Sequence, residues 1–441
     1  MNNRILEVAV GICLLVSCSD SERTSLPEIE TTQVNIYPSI GKTAKIEVSL
    51  SQPHQLFIDY WETNQPDNQK TLNVSESKDL HASILLSHLK ESTAYSYAIR
   101  FGDENIEANN IQDFHTFERP EAVDLFYDET KNQIETNLDG YFLFHRSGHP
   151  SVILLVDGHG QVVWYRTSPN MIKVANLTHR NTILSIESST DQGFSDGDRI
   201  LETNLAGDTL LLLNYGENDF IKTPHHDIFL SEDNHIVYLT QETQDEFSGD
   251  GILVLDRNGK KVWQWSSFSE FTNPDLTTYV QPWSNSIIED ETAYYVSFRA
   301  LSQVWKINKQ SRQVDWKLGA DGDFQLSNNS EFMFQHFAHF NHNGDLLLFD
   351  NGASENRPYS RILSLRLADQ NQTLSPKTNI QLPESYFSPF MGSVQQLNSE
   401  EFLVCSATNG VILNINHSGQ VNWKLTAEDR MYRCVYIENL F

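Results

Sequence analysis

The sequence predicts an all-β protein: a six-bladed β-propeller preceded by a small N-terminal β-sandwich. Three observations carry that expectation. A hairpin signature recurs six times at a spacing of roughly fifty residues, the period of a four-stranded propeller blade. The stretch before residue 120 lacks that signature and shows alternating apolar positions instead, as in Lys45-Ile46-Glu47-Val48 and Gln55-Leu56-Phe57-Ile58. The chain has 441 residues, 39% hydrophobic and 11% aromatic, enough apolar mass for a large core and more than one domain.

Residues 1–18 read as a lipoprotein signal peptide. Arg4 gives a short positive region, Val8 to Val16 an apolar run, and Leu15-Val16-Ser17-Cys18 resembles a bacterial lipobox, whose cysteine is lipidated. The apolar run is far shorter than the ~20 residues that a membrane-spanning helix needs. Glu7, beside the run, is atypical for a signal. Residues 19–32 are polar, as expected of a flexible tether. Ser19-Asp20 after the cysteine favours the outer membrane under the usual sorting rule, so the expected location is the periplasmic face of that membrane. The formal net charge is −28. A phosphate backbone would be repelled, which excludes nucleic acid as a partner. The same charge keeps an exported protein soluble. With the signal removed, Cys405 and Cys434 remain; an oxidising compartment permits a disulfide between them, and two buried thiols are the alternative.

Residues 33–120 form the expected N-terminal domain. Leu89 to Tyr97, with a leucine, a turn and a Tyr-x-Tyr pair, resembles the fibronectin type III consensus before a late strand. Phe114-His115-Thr116-Phe117 is the expected closing strand. The domain is expected to pack or space rather than to act.

Residues 134–441 form the expected propeller. Asp157 to Trp164, Asp256 to Trp263 and Asn416 to Trp423 share one pattern: an apolar strand, Asp or Asn, glycine three residues on (Gly160, Gly259, Gly419), then a strand carrying Trp. Asn204 to Leu211 repeats it with leucine for Trp, Asn308 to Trp316 with one extra residue, and 361–380 in degenerate form. Each repeat has an earlier apolar strand: Thr182–Ile186, His235–Leu239, Ala293–Phe298, Asp345–Phe349 and Glu401–Ser406. These are the expected innermost strands, with the residues just before them at one mouth of the channel. Met431 to Phe441 alternates like a strand and is expected to close the ring.

The pre-strand words would then converge: Asn176-Leu177-Thr178, His226-Asp227-Ile228, Asn285-Ser286-Ile287, His336-Phe337-Ala338 and Gly392-Ser393-Val394, with Arg299 nearby. Imidazoles can act as nucleophile or as general acid and base near neutral pH. A guanidinium matches an oxyanion with paired donors. Two histidines, an amide and an arginine, without a serine or cysteine triad, suit transfer of a charged oxyanion group. The alternatives are polar filling of a wet channel, or a zinc or copper site from His225, His226, His336 and His339 or His342. Those histidines come from separate repeats without tight ligand spacing, so no metal and no cofactor is expected. Adjacent His225 and His226 would face opposite sides of an extended strand, which leaves open which one faces the channel. His339 and His342 read as turn or surface residues around Asn343-Gly344.

From Asp139 to the C-terminus the chain resembles the bacterial aryl-sulfate sulfotransferase family. The matching words are Asp139-Gly140, Asp157 to Tyr165, His225-His226-Asp227-Ile228, Asn285-Ser286-Ile287, Ser297-Phe298-Arg299, Trp316-Lys317-Leu318-Gly319, Gln335-His336, Phe349-Asp350-Asn351-Gly352, Ser360-Arg361, Met391-Gly392-Ser393-Val394 and Tyr432-Arg433. The resemblance implies an exported propeller that moves a sulfuryl group from an aryl sulfate donor to a phenolic acceptor by ping-pong chemistry, through a sulfohistidine and without a nucleotide donor. It implies His336 as nucleophile, His226 or its neighbour His225 as the second active-site histidine, Arg299 on the sulfuryl oxygens and Asn285 as a supporting donor. His225 and Trp283 are then expected to contact substrate.

One departure matters. Where the family usually has a histidine two residues before the asparagine, this chain has Trp283. An indole stacks and donates one hydrogen bond but shuttles no proton. One histidine would then make both proton transfers, or the substrate differs, or the protein is a non-catalytic ligand-binding propeller lipoprotein. A metal-dependent lyase or hydrolase is a third reading. No feature of the chain specifies an oligomeric state.

Overall fold

The structure, a computed structural model, describes residues 27–74, 80–102, 110–134, 138–190, 196–271, 275, 277–327 and 329–441. The expected signal peptide with Cys18, and the tether up to residue 26, lie outside the described residues. Strand Ile29–Asn35 begins inside the expected tether. Its polar residues mimic a linker because it is a largely exposed edge strand, paired only with Ala44–Leu50.

The described chain is nearly all β, with one short α-helix, Glu121–Asp124. Its N-terminal part holds two antiparallel sheets. One contains Ile29–Asn35, Ala44–Leu50 and His81–Leu86; the other contains Lys70–Val74, Leu56–Glu62, Ala94–Arg100 and Ile111–His115. Alternate residues of both enter one apolar cluster, Ile46, Val48 and Ile84 from the first, Ile58, Tyr60 and Tyr97 from the second. The Leu89–Tyr97 word makes a corner: Leu89 is buried and the Lys90 N–H donates to the Tyr95 hydroxyl at 2.9 Å. Ile40–Gly41 leaves this unit to pair with Val162–Ser168, and Lys45 Nζ reaches Asp208 at 2.7 Å. These contacts tie the N-terminal part to the sheets that begin at Tyr141.

From Tyr141 the chain runs as successive antiparallel meanders. Five four-stranded sheets come in chain order among the described residues, spanning 171–214, 224–266, 284–319, 336–381 and 393–426. One further sheet joins the two ends of this region: Met431–Ile437 pairs with Tyr141–Arg146, which continues to Ser151–Asp157 and Val162–Ser168. The expected closing strand is therefore the first strand of that sheet.

The recurring hairpin signature has one mechanism. Asp157 Oδ1 accepts the N–H groups of His159 and Gln161 at 2.9 Å; Asp256 holds Asn258 and Lys260 at 2.8 Å; Asn416 holds Ser418 and Gln420 at 3.0 and 3.1 Å. The glycine after it is left-handed at φ +83°, +75° and +82°, where a side chain would strain the turn. The Trp then reaches sideways. The Trp164 indole N–H donates to Leu205 O and that of Trp263 to Lys309 O, both at 2.8 Å in the next sheet. The repeat thus encodes both the turn and the joint between neighbouring sheets.

One expectation changes. The strands Ile183–Ser188, Ile236–Gln244, Ala293–Phe298, Leu346–Asp350 and Glu401–Ser406 are second in their sheets. The first strands are Met171–Leu177, Pro224–Leu230, Ser284–Glu289, His336–Phe340 and Ser393–Gln396, which carry the pre-strand words themselves. Most of these first strands are bulged, at Ile172/Val174, His225/Ile228, Ser284/Ser286 and His336/His339. A bulge breaks the two-residue alternation that marks a strand in a sequence.

The first strands of successive sheets stitch to one another through side chains. Asn176 Nδ2 donates to Ile228 O (2.6 Å), Ser286 Oγ accepts the Ala338 N–H (3.0 Å) and Ser393 Oγ donates to Cys434 O (2.8 Å). At their centre lies a buried ion pair. Arg433 Nη1 donates to Asp227 Oδ1 at 2.8 Å, while Arg433 Nη2 reaches the carbonyls of His226 and Asn285, each at 3.2 Å. Asp227 also accepts from Asn176 Nδ2 (3.2 Å) and from the N–H groups of Ile228 (3.1 Å) and Ile287 (3.0 Å).

The permitted disulfide is not formed: Cys405 and Cys434 are free, buried thiols. Strand Ser393–Gln396 runs between them, pairing Ser393 with Cys405 on one side and bonding Cys434 on the other.

Removing one partner of a fully satisfied buried pair leaves the other charge stranded. Arg433→Met is expected to cost about 3–5 kcal/mol of unfolding free energy. Urea denaturation of the variant checks this; a loss under about 1 kcal/mol, as at an exposed pair, would show that the pair does not hold the sheets.

Candidate active site

A cavity of about 750 Å³ opens where these first strands meet. His225, His226, Trp283, Arg299 and His336 all line it, so five of the expected site residues come together. Asn285 does not line it. Its side chain is buried behind, with Nδ2 donating to Gln335 O at 2.6 Å.

His336 opens the strand His336–Phe340, and its ring is fixed from both sides. Nδ1 lies 2.8 Å from Asn351 Oδ1. The Asn351 amide cannot turn over, because its Nδ2 already donates to the carbonyls of Ser388 (2.6 Å) and Met391 (2.8 Å). An oxygen therefore faces His336, and Nδ1 must carry the proton. Nε2 keeps its lone pair and accepts the Met391 N–H at 3.3 Å. Burial, with the charges of Arg299 and Arg433, pushes this imidazole down to about 3, against the pull of the Asn351 hydrogen bond. It is neutral across the physiological range.

Arg299 comes just after the second strand of its sheet, and its N–H donates to Trp283 O at 2.9 Å. Its guanidinium donates Nη2 to Pro389 O at 3.1 Å and lies 4.8 Å over the Phe334 ring. No carboxylate pairs with it among the described residues, and its buried Nε has no partner there. Burial alone lowers its proton affinity. Such a charge is stabilised by an incoming anion.

His225 and His226 both face the cavity, which the extended-strand argument did not allow. The bulge at His225/Ile228 and a left-handed His226, at φ +53°, turn the second ring round to the first. Their Nδ1 atoms are 2.9 Å apart, with ring planes 87° to one another. His225 Nε2 lies 3.4 Å from Asp250 Oδ1. Burial lowers His225, but the Asp250 and Asp196 carboxylates outweigh it and raise the imidazole overall. His226 is pushed well down, first by burial and then by His225, His336, Arg433 and Arg299.

Trp283 sits at the rim, half exposed and left-handed at φ +52°. Phe390, Met391 and Ile172 supply apolar wall, and the Tyr432 hydroxyl donates to His226 O at 2.9 Å. Of the expected turn residues, His342 is exposed, whereas His339 is partly buried with Nδ1 3.0 Å from Phe337 O. Among the described residues no group of three or more His, Cys, Asp or Glu side chains is arranged to hold a metal ion. Asp250, Asn351 and the Met391 N–H went unassigned in the sequence. Asn351 stood in a recognised word, but nothing in a linear sequence shows that its amide is locked by two carbonyls.

A family model described as arylsulfotransferase (ASST) matches residues 127–433. No curated protein matches the chain. Among solved structures, the chain is similar to a protein of unknown function from Bacteroides caccae, at 14% identity and TM-score 0.46, covering 68% of this chain and 100% of that one. It is also similar to a chain of a nidogen/laminin complex, at 10% identity and TM-score 0.40, covering 68% and 98%. A third is AztD from Citrobacter koseri, at 10% identity and TM-score 0.34, covering 67% and 97%.

The buried imidazoles set an acid limit on stability. Burial holds His336 at about 3 and, in the same region, His145 at about 4. In the unfolded chain both titrate near ~6.5. Below that pH the unfolded state binds protons that the folded state refuses. Their contribution is complete above ~6.5 and is lost as pH falls, at about 1.4 kcal/mol per pH unit for each group. His225, raised, acts in the opposite sense, but His226, pushed well down, adds to the other two. The urea midpoint is expected to fall between about pH 7 and about pH 5; a flat profile would mean that these rings accept protons in the folded state.

Proposed function

Because the chain belongs to the arylsulfotransferase family, we propose that it moves a sulfuryl group from an aryl sulfate to a phenolic acceptor through a sulfohistidine on His336. One observation carries the reading: an imidazole whose proton a locked Asn351 fixes on Nδ1, leaving Nε2 unprotonated with only a 3.3 Å contact from the Met391 N–H, shares a cavity with an arginine that no carboxylate neutralises among the described residues. The chain bears a net charge of −28, so an unpaired cation in its large cavity selects for an anion bound there rather than anywhere else.

In the first half-reaction His336 Nε2 attacks sulfur, the bond from sulfur to the aryl oxygen breaks, and its electron pair leaves on the phenolate. Arg299 binds the sulfuryl oxygens, where charge is held through the transition state. His226 protonates the departing phenolate. In the second half a phenol enters, gives its proton to the same ring, and its oxygen takes the sulfuryl group, returning the N–S electron pair to His336. Trp283 and Phe390 flank the space for the aromatic ring; an indole there stacks on either partner. Asn285 supports the site from behind by holding the Gln335 carbonyl next to His336.

The successive four-stranded sheets support a six-bladed propeller as the scaffold, with the N-terminal pair of sheets as a β-sandwich. The same reading places the protein at the periplasmic face of the outer membrane, held by a lipid on Cys18. What supports this is the Leu15-Val16-Ser17-Cys18 word with Ser19-Asp20 after it. No helix among the described residues is long and apolar enough to cross a membrane.

The alternative, a propeller that binds such a ligand without turnover, draws on Trp283 standing where the resemblance puts a histidine. An assay of phenol release from 4-nitrophenyl sulfate with phenol as acceptor separates the two. Turnover is expected in the native protein, with His336→Ala at the uncatalysed background and Arg299→Met lower by about 10²–10³-fold in kcat. Without acceptor, peptide mass spectrometry is expected to find one SO3 on the His336 peptide. Binding that survives in His336→Ala, with no turnover in the native protein, would establish the alternative.

A further inference from the structure

We propose that Asp250 and His225 form a proton relay to His226, so that this one imidazole serves as acid and base in both half-reactions. This relay presupposes the sulfotransferase reading of the site.

The geometry of the three groups is linear in chemical terms. Asp250 is buried, and its Oδ2 is held by the Ser284 N–H at 2.7 Å. Its Oδ1 faces His225 Nε2 at 3.4 Å. No hydrogen-bond partner stands closer to Nε2 among the described residues, and the group it faces is a carboxylate acceptor, so Nε2 carries a proton. The opposite nitrogen, Nδ1, meets His226 Nδ1 at 2.9 Å. Two ring nitrogens at that distance share one proton. The charged environment decides which ring holds it. His225 faces the Asp250 and Asp196 carboxylates, whereas His226 faces Arg299, Arg433 and the other two imidazoles, with the Tyr432 hydroxyl on its carbonyl. The proton therefore rests on His225 as imidazolium. His226 is neutral, accepts at Nδ1 and keeps Nε2–H, its remaining ring nitrogen, for the cavity.

The protons balance. As the phenolate leaves, His226 Nε2–H moves to its oxygen, and His225 Nδ1–H moves to His226 Nδ1. His226 stays neutral throughout, and His225 becomes neutral beside Asp250. When the acceptor phenol attacks, its proton enters at His226 Nε2 and the Nδ1 proton returns to His225. The relay does for this chain what a second cavity histidine would do at Trp283. Asp250 is tied to that same turn through Ser284, the residue after Trp283. Asp250 is a positioning residue, and His225 acts through His226.

Leaving groups test it. Phenolate needs the proton and 4-nitrophenolate scarcely does. In a ping-pong scheme kcat/KM for the donor reports the first half-reaction alone. Asp250→Asn and His225→Gln are each expected to lower kcat/KM for phenyl sulfate by about 10²-fold, and to raise the preference for 4-nitrophenyl over phenyl sulfate by about tenfold or more. The native enzyme should lose phenyl sulfate turnover as pH rises through the His225 pKa, with a weaker limb for 4-nitrophenyl sulfate. That comparison needs no variant to fold. Equal losses for both donors, or the same alkaline limb for both, would overturn the relay and leave the sulfotransferase reading standing. No turnover of either donor by the native protein would overturn both.

Discussion

The Arg433–Asp227 pair is the point through which strands from three sheets meet. Arg433 comes from the C-terminal strand, Asp227 from the strand Pro224–Leu230, and the carbonyl of Asn285 from the strand Ser284–Glu289. Two charges taken out of water are not in themselves a gain, since desolvation offsets most of their attraction. Here the pair is fully satisfied, with the carboxylate accepting four hydrogen bonds and the guanidinium lying 4.8 Å over both Phe337 and Tyr432. What it contributes is register. Arg433 binds the His226 carbonyl, and that peptide is the one whose left-handed turn brings His226 round to His225. Anchoring of the closing strand and aim of the second histidine are thus one interaction.

That coupling explains why the site is built on irregular backbone. His226, Trp283, Phe337 and Met391 each take a left-handed conformation at or beside a first strand, and none is glycine. Side chains resist that region, at a cost of order 1–3 kcal/mol each where the surroundings hold them there. A regular strand would send alternate residues to alternate faces, and only every second side chain could reach the cavity. Bulged, left-handed positions let His225 and His226 both do so, and let the Met391 N–H meet His336 Nε2. Left-handed side chains occur in turns elsewhere too, but these four stand at the strands that line the cavity, while the well-paired second and third strands carry the packing.

The boundary between what could be read in the sequence and what could not runs along the same line. The hairpin signature was legible because Asp157, Asp256 and Asn416 act within their own turns, and because glycine at the left-handed position leaves a fixed spacing. The convergence of His226 and His336 was legible from their equal places in the repeat, and Arg299 from its place at the end of the strand that follows Asn285. Which strand is innermost was not, because bulges erase the alternation that would mark it. Nor was the facing of His225, which depends on one backbone angle at its neighbour. Asn285 looked like a cavity donor from its pre-strand place in the repeat, but its amide turns inward to the Gln335 carbonyl. The tether looked polar enough to be a linker because strand Ile29–Asn35 is an exposed edge.

The electrostatics of the site come from burial more than from any one contact. Desolvation is the leading influence on His225, His226, His336 and Arg299 alike, and it pushes each of them toward neutrality. What separates them is which have carboxylates within reach. His225 has Asp250 and Asp196, and of the three cavity imidazoles it alone is raised. His226 and His336 have guanidinium neighbours, and both are lowered. A nucleophile needs a free lone pair and an acid needs a proton in reserve, so two imidazoles of the same type in one cavity must be driven apart in proton affinity. Placing the carboxylates behind His225 and the arginines around His336 does that without any ion pair exposed to solvent. It also leaves the Arg299 charge unmatched by any carboxylate among the described residues, so that its counter-charge has to arrive with the substrate.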